Sequence, residues 1–252
     1  MLNTRQEQLL NLLKQKKTIA IPHLADLLSY SASTIRRDLI LLEEMGLVKR
    51  DKGNVSIIVT TTKEKHFKLR NQENISIKQT LAQFATDFIT DGSSMFLDSS
   101  STVLQLCPLL NNYKNITVVT NGIEVAHSLI EHTACEVFVV GGYAREGSSG
   151  IVGESALEYI KQFNLDLCIM SCAGVDHKGF TDPSMQQACT KKQMCEQSRL
   201  TLMLCDHTKF LNNYKFNLAS FNQVDYLLTD QEPTSSIFEA ARQNNCEILW
   251  PH

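Results

Sequence analysis

Between residues 95 and 229 the chain repeats one arrangement: a short apolar run, a break in small or polar residues, then apolar residues at helical spacing. The runs are Met95 to Asp98, Ile116 to Thr120, Glu136 to Val140, Leu167 to Met170, Leu200 to Leu204 and Tyr226 to Thr229. Parallel strands need long crossovers and bury both faces, so this order predicts a mainly parallel sheet with helices on either side. The expected fold class is α/β for this larger part. No internal repeat or low-complexity tract interrupts it.

The chain has 252 residues, more than this sheet needs, and two domains are expected. A hydrophobic fraction of 43% with 20% charged residues fits a globular protein and excludes wholesale disorder. No apolar run approaches the roughly 20 residues a bilayer span needs. Met1 to Leu13 mixes Asn3, Arg5, Gln6 and Glu7 among its leucines and carries no small-residue cleavage site, so a cytoplasmic protein without membrane attachment is expected. The 8 cysteines are scattered through apolar segments without a Cys-x-x-Cys, which argues for buried thiols and against a metal or cofactor.

The net charge of −3 is unevenly divided. Residues 1–53 hold nine Lys/Arg against six Asp/Glu, and the rest hold fifteen against twenty-one, giving +3 and −6. A basic small segment on an acidic body suits a nucleic-acid-binding head on a regulator.

Three helices are expected in that segment. Leu9, Leu12 and Leu13 mark the first, with Thr4 as its cap and Lys16-Lys17-Thr18 as its end. Pro22 suits the first turn of the second, which runs to Leu28 with Leu24, Leu27 and Leu28 as its apolar face. After the polar break Ser29-Tyr30-Ser31, the third runs from Ala32 to Met45, capped by Ser31, with Ile35, Leu39 and Leu42 forming a buried stripe. With Ile35 inward, steps of about 100° put Ser33 and Arg37 on the far side and Thr34 and Arg36 on the flanks. Base edges are read from the start of such a helix, arginine pairing with guanine and hydroxyls with phosphates or bases. The stretch from Leu47 to Ile58 reads as a β-hairpin whose Lys49, Arg50 and Lys52 are available to phosphates. Helix, turn, arginine-bearing helix and basic hairpin together predict a winged helix-turn-helix domain over residues 1–58.

Residues 59–74 hold few large apolar side chains and are expected to be a linker, with the α/β domain spanning 75–252. Ligands of a parallel sheet sit beyond the carboxyl ends of its strands. The polar residues there are Asp98, Ser99, Ser100, Ser101 and Thr102, then Thr120 and Asn121, Gly141 and Gly142, Gly174 and Asp176, and Asp206 and Lys209. Hydroxyls and amides entering a helix near Val103 make an anion cradle. Taken singly, these groups are also what helix caps, turns and surface ion pairs look like.

The run Ser33-Thr34-Ile35-Arg36-Arg37-Asp38-Leu39, followed by Leu42 to Arg50, resembles the signature of the DeoR family of bacterial sugar-metabolism regulators. Further resemblances are Leu97 to Thr102, Val118 to Asn121, Ala173 to Thr181 and Asp206 to Phe210, so the similarity extends over nearly the whole chain. Gly53-Asn54-Val55 departs from the family's Gly-Gly-Ala-like turn, and Ser100, Thr208 and Gln187 replace its usual Gly, Ser and Glu. The resemblance implies that Ser33, Thr34, Arg36 and Arg37 face DNA and that Asp38 orients an arginine. It also implies a sensor domain related to ribose-5-phosphate isomerase and a phosphorylated sugar as effector. The expected function is a repressor of a carbohydrate-metabolism operon that binds operator double-stranded DNA as a homodimer or homotetramer and is not an enzyme. The competing readings are a sugar-phosphate isomerase with an accessory DNA-binding domain, using Asp98 or Asp176 as base, and a nonspecific DNA architectural protein.

Overall fold

Ile35, Leu39 and Leu42 have no exposed surface, so the stripe read from the third helix is the side that packs inward. It joins Leu9, Leu13, Leu24, Val48 and Val55 in one small core. The computed structural model describes residues 4–44, 47–57, 66–145 and 147–251. Met45, Gly46, Ile58, residues 59–65 of the expected linker and the Thr4 side chain expected as a cap lie outside the described residues. The chain forms two units, Met1–Thr60 and Thr61–His252.

The first unit runs α1 (Thr4–Lys16), β1 (Thr18–Ala20), α2 (Ile21–Leu28), α3 (Ala32–Glu44), β2 (Val48–Asp51) and β3 (Asn54–Ile57). Pro22 sits in the first turn of α2, and Ser29 ends that helix in the left-handed region at φ 57°. The Ser31 Oγ accepts the Thr34 amide at 3.2 Å, capping α3. β2 and β3 form the hairpin, and β1 adds to the other side of β3, giving an antiparallel order β1-β3-β2. The hairpin turns through Lys52 at φ 43° and Gly53 at φ 84°. Two successive left-handed residues match the twist of a two-residue hairpin, which is why glycine suits the second. Two details differ from the sequence reading: Leu27 is 44% exposed, outside the core, and β1 is a strand where only a helix end was expected.

The second unit opens with α4 (Phe67–Gln72) and α5 (Ile75–Ala85), followed by β4 (Ser94–Leu97), a 3-10 helix Val103–Asn112, β5 (Thr117–Thr120), α6 (Ile123–His132) and β6 (Glu136–Val139). The small strands β7 (Tyr143–Ala144) and β8 (Ile151–Val152) precede α7 (Glu154–Ile160) and β9 (Leu165–Ser171). β10 (Gly174–Asp176), β11 (Gly179–Asp182), α8 (Met185–Glu196), β12 (Ser198–Leu204) and β13 (Phe216–Ala219) follow. The chain closes with β14 (Tyr226–Leu228), α9 (Ser235–Gln243) and β15 (Glu247–Leu249). α4 lies within the stretch read from the sequence as linker, and its Phe67 is buried.

Seven strands pair in the order β15-β14-β12-β9-β4-β5-β6, all parallel. Alternate residues along each strand feed opposite cores. Met95, Leu97, Val118, Ile169 and Leu204 meet Leu81 of α5 and Leu129 of α6, whereas Phe96, Val119, Met170 and Met203 meet Ile160 of α7, Met194 of α8 and Ile237 of α9. The protein is therefore an N-terminal winged helix-turn-helix followed by an α/β sheet covered on both faces. Fully burying each of these side chains contributes about 1.5–3 kcal/mol, so the sheet's position is strongly fixed. β10, β11 and β13 form a separate antiparallel sheet beyond the ends of β9 and β12. Among the described residues no helix is long and apolar enough to cross a membrane.

Candidate functional site

On α3 the burial of Ile35 leaves Ser33, Arg36 and Arg37 exposed and Thr34 half-buried, all in the first two turns. The Ser33 and Thr34 hydroxyls lie 2.9 and 2.8 Å from the Ser31 Oγ, forming a small polar cluster at the helix start. Arg36 lines a cleft of about 440 Å³ with Ile21, Pro22, Arg50, Asp51, Lys52 and Gly53, so the start of α2, the side of α3 and the wing turn share one basic recess. Lys49 and Lys52 are exposed on the wing.

Arg50 is used differently. Its Nε donates to the Glu43 Oε2 at 2.7 Å and its amide to the Glu43 Oε1 at 2.8 Å, which fastens the wing to the end of α3. These hydrogen bonds hold the Glu43 carboxyl below its ordinary range. Asp38 is buried, and the arginine it holds is Arg5 of α1: Nη2 donates at 3.2 Å, with a closer contact from Nε, while the Gln6 Nε2 donates at 3.1 Å. Arg5 also lies over the Tyr30 ring, 5.1 Å from its centroid. The acid thus ties α3 to α1, leaving Arg36 and Arg37 outward.

In the larger unit, Asp98 to Thr102 follow β4 and are all buried. Ser100 makes the turn, its amide donating to the Asp98 Oδ1 at 3.2 Å and its Oγ accepting the Val103 amide at 3.2 Å. Among the described residues, the amides of Ser99, Ser101 and Thr102 have no hydrogen-bond acceptor. Such unpaired donors at the head of a helical segment suit an anion. From the next strand, the Thr120 Oγ1 donates to the Leu97 carbonyl at 2.7 Å and accepts the Gly122 amide at 3.0 Å. The Asn121 Nδ2 donates to the Ile151 carbonyl at 2.9 Å, and its buried Oδ1 has no partner among the described residues.

Three buried or half-buried lysines surround this loop. The Lys191 Nζ of α8 lies 3.2 Å from Asp98 and 3.0 Å from Asp182, and donates to the Ser171 carbonyl at 2.9 Å. Burial opposes its charge, but the two carboxylates outweigh burial and raise its pKa. The Lys209 Nζ donates to the Ser171 Oγ at 2.8 Å and lies 3.6 Å from Asp206. Burial disfavours that ammonium too, and Asp206 overcomes it to raise the pKa. The Asp206 carboxyl is in turn held low despite burial, by Lys209 and by hydrogen bonds from Thr208. The Lys78 Nζ of α5 donates to the Ser101 Oγ at 3.0 Å and to the Arg70 carbonyl. Burial, with Lys209 nearby, lowers its pKa to about 8.

The structure thus brings together Asp98 to Thr102, Thr120, Asn121, Asp206 and Lys209. The remaining candidates have other contacts. Gly141 and Gly142 are exposed between β6 and β7. Asp176 accepts the Lys178 amide at 2.8 Å and the Asn213 Nδ2 at 2.6 Å, closing the β10–β11 turn. A Cβ on Gly174 would stand 2.3 Å from the Asn212 carbonyl oxygen, so glycine is required there by close backbone approach. Sequence reasoning missed Lys78, Asp182 and Lys191 as members of the site. It noted Gln187 only as a departure, whereas the Gln187 side chain links Ser99 and Asn121, each at 3.5 Å, to Ser148 at 3.1 Å. The available signal was α8 itself, whose Met185–Glu196 stretch shows no apolar stripe at helical spacing although it covers a sheet. Among the described residues no group of three or more His, Cys, Asp or Glu is gathered to hold a metal.

Comparison with known proteins agrees with both halves. A family model described as the DeoR C terminal sensor domain matches residues 73–231, and one described as the DeoR-like helix-turn-helix domain matches residues 5–61. The chain is 31% identical over 99% of its length to the HTH-type transcriptional repressor CsqR of Escherichia coli (strain K12), covering 95% of that protein. It is 29% identical to the glycerol-3-phosphate regulon repressor of the same strain, covering 97% of each chain. With the HTH-type transcriptional repressor GlcR of Bacillus subtilis (strain 168) it shares 28% identity over 96% of this chain and 93% of that one. A solved D-ribose-5-phosphate isomerase in complex with phospho-erythronic acid overlaps 54% of each chain with a TM-score of 0.42 at 16% identity. The chain belongs to the DeoR family of transcriptional regulators.

Proposed function

We propose that this protein is a cytoplasmic transcriptional repressor of a carbohydrate-metabolism operon, binding operator DNA through the first unit and released when a phosphorylated sugar binds the second. The carrying observation is the outward set Ser33, Arg36 and Arg37 on an α3 fixed by Asp38 and flanked by a basic wing. Arg37 reads a base edge, with Ser33 and Thr34 beside it; Arg36, Lys49 and Lys52 meet phosphates. Arg50 positions the wing through Glu43. One head makes few base contacts, so two heads act on a two-fold operator in a homodimer or homotetramer.

The effector is held at the Asp98 to Thr102 loop, its phosphate on the free amides and its hydroxyls near Asn121, Asp206 and Lys209. Support for release comes from the roof of this loop. The Asn71 Oδ1 accepts from the Gln105 Nε2 at 3.4 Å, and the Asn74 Nδ2 reaches the Thr208 Oγ1 at 3.5 Å, so α4 and the start of α5 touch both sides of the cradle. That roof follows the linker in sequence. A coupling of about 1–3 kcal/mol between the two sites is typical of such regulators. The relatives reported above are named repressors, which favours regulation over isomerisation. We read Asp98, 3.2 Å from the Lys191 ammonium, as holding that lysine and not as a base.

The test is a preformed protein–DNA complex followed by fluorescence anisotropy while a panel of sugar phosphates and their unphosphorylated parents is added. Release by at least one phosphorylated sugar and by none of the parents is expected. Release by a parent sugar, or by no member of the panel, contradicts this assignment of the effector.

A further inference from the structure

Ser171 and Leu204, the last residues of β9 and β12, are in register, so Cys172 and Cys205 are the next positions out on two neighbouring parallel strands. Both side chains enter the same core, and their Sγ atoms lie 3.6 Å apart. Neighbouring strands run about 4.8 Å apart, within the Cα separation that a disulfide spans. Closing this contact to a bond of about 2.05 Å takes a shift of about 1.5 Å.

The two thiols are unlike. Cys205 has no exposed surface, and burial pushes its pKa up. Cys172 keeps 5% of its surface open at the strand end. Its pKa is lowered by the hydrogen bond from Cys205, and the Lys209 and Lys191 ammoniums favour the thiolate further, against burial and the Asp206 charge. Cys107 and Cys246, buried among apolar side chains, are both pushed up to about 12. A thiolate beside ammonium groups is the oxidisable kind, and a second thiol in contact with it can resolve a sulfenic acid.

We propose that Cys172 and Cys205 are an oxidation site for hydrogen peroxide, closing to a disulfide that loosens the sensor unit's hold on its effector. The Cys172 thiolate attacks one peroxide oxygen, breaking the O–O bond and leaving Cys172 as a sulfenic acid. The hydroxide released joins the proton that Cys172 lost on ionising. The Cys205 sulfur then gives up its proton and attacks the Cys172 sulfur, expelling the hydroxyl as water. Two thiols and one peroxide thus become one disulfide and two waters.

The consequence runs through Lys209. Its Nζ spans the Ser171 Oγ at 2.8 Å and Asp206 at 3.6 Å, the residues next in sequence to the two cysteines. Drawing the sulfurs together draws those two residues in on the ammonium and withdraws it from the ligand. This consequence, unlike the disulfide itself, rests on the effector reading above.

The experiment treats the reduced full chain with hydrogen peroxide and maps its peptides by mass spectrometry without reduction. A Cys172–Cys205 link that dithiothreitol reverses is expected. Cys205→Ala is expected to stop at a sulfenic acid on Cys172, trapped by dimedone, and Cys172→Ala to leave Cys205 unlabelled. Cys189, exposed on α8, is the internal control. Peroxide that modifies Cys189 but leaves both members of the pair as thiols, or dimedone on Cys205 in place of Cys172, would overturn the proposal. Inorganic phosphate, titrated by thermal shift, probes the consequence. Oxidised wild type is expected to bind it about fivefold or more weakly than reduced wild type, whereas peroxide leaves the affinity of Cys172→Ala unchanged. Equal binding by the two forms of wild type overturns the loosening. A reduced protein that binds no phosphate defeats the effector reading, while the peptide map still decides the disulfide.

Discussion

The Lys191 ammonium lies 3.2 Å from the Asp98 carboxylate with both side chains buried, and it shares itself with Asp182 at 3.0 Å. One cation thus joins the end of β4 to the β11–α8 corner, beneath the loop expected to hold the effector. In this triad two carboxylates share one ammonium, and the ion pairs hold the β4 end and α8 together.

Removing the centre of that triad leaves two buried carboxylates facing each other. Lys191→Met should therefore destabilise the sensor unit by about 3–5 kcal/mol, the usual cost of stranding buried charge. Urea denaturation checks this. A loss under about 1 kcal/mol would show that water already screens the triad.

The head depends on a different pair. Asp38→Ala releases Arg5 and Gln6 from the underside of α3, and because Arg5 is 28% exposed on its side chain the expected loss is about 1–2 kcal/mol. DNA affinity should fall with no change in the salt slope, since no phosphate contact is removed. An altered slope would place Asp38 or Arg5 at the DNA.

Much of this was legible because it follows from periodicity. The Ile35, Leu39 and Leu42 stripe named the outward residues of α3, and six of the seven parallel strands stand where apolar runs end in polar residues. What sequence left hidden depends on tertiary contact. β1 has three residues, too few for a pattern, and Leu27 follows the helical spacing of the core yet meets solvent. Lys78 and Asp182 are single buried charged residues on elements whose other buried positions are mostly apolar or neutral, so nothing local marks them; for Lys191 the lack of an apolar stripe along α8 was the one signal. α4 escaped notice because a six-residue helix with one buried aromatic, Phe67, resembles a polar linker.

Base reading and phosphate contact should separate on the head. Arg37→Ala is expected to cost about 1–3 kcal/mol on the preferred sequence and little on scrambled DNA. Lys52→Ala should weaken both alike and reduce the salt slope by about one. Anisotropy titrations at several salt concentrations measure both quantities. The reverse pattern would exchange the two roles.

Lys78 also predicts a pH dependence of the ligand-free protein. Its folded value, about 8, lies below the 10.5 of a free lysine, so between them the unfolded chain binds more protons and stability rises with pH. Below about pH 8 the full penalty applies, roughly 3 kcal/mol at most. Lys78→Met should then be more stable than wild type at pH 7, by about 1–3 kcal/mol once its two lost hydrogen bonds are counted, and should lack the rise. Denaturation curves from pH 7 to 10.5 test this, and a wild-type curve flat or falling over that range would contradict it.

The most direct measurement is selection of the full-length protein against a random duplex pool at physiological salt, with the enriched sequence then compared with its scrambled version. An enriched two-fold site, bound about a thousandfold or more tighter than the scramble, is expected of a specific regulator. No enrichment, and equal affinity for both duplexes, would contradict the assignment of α3 and the wing to operator recognition.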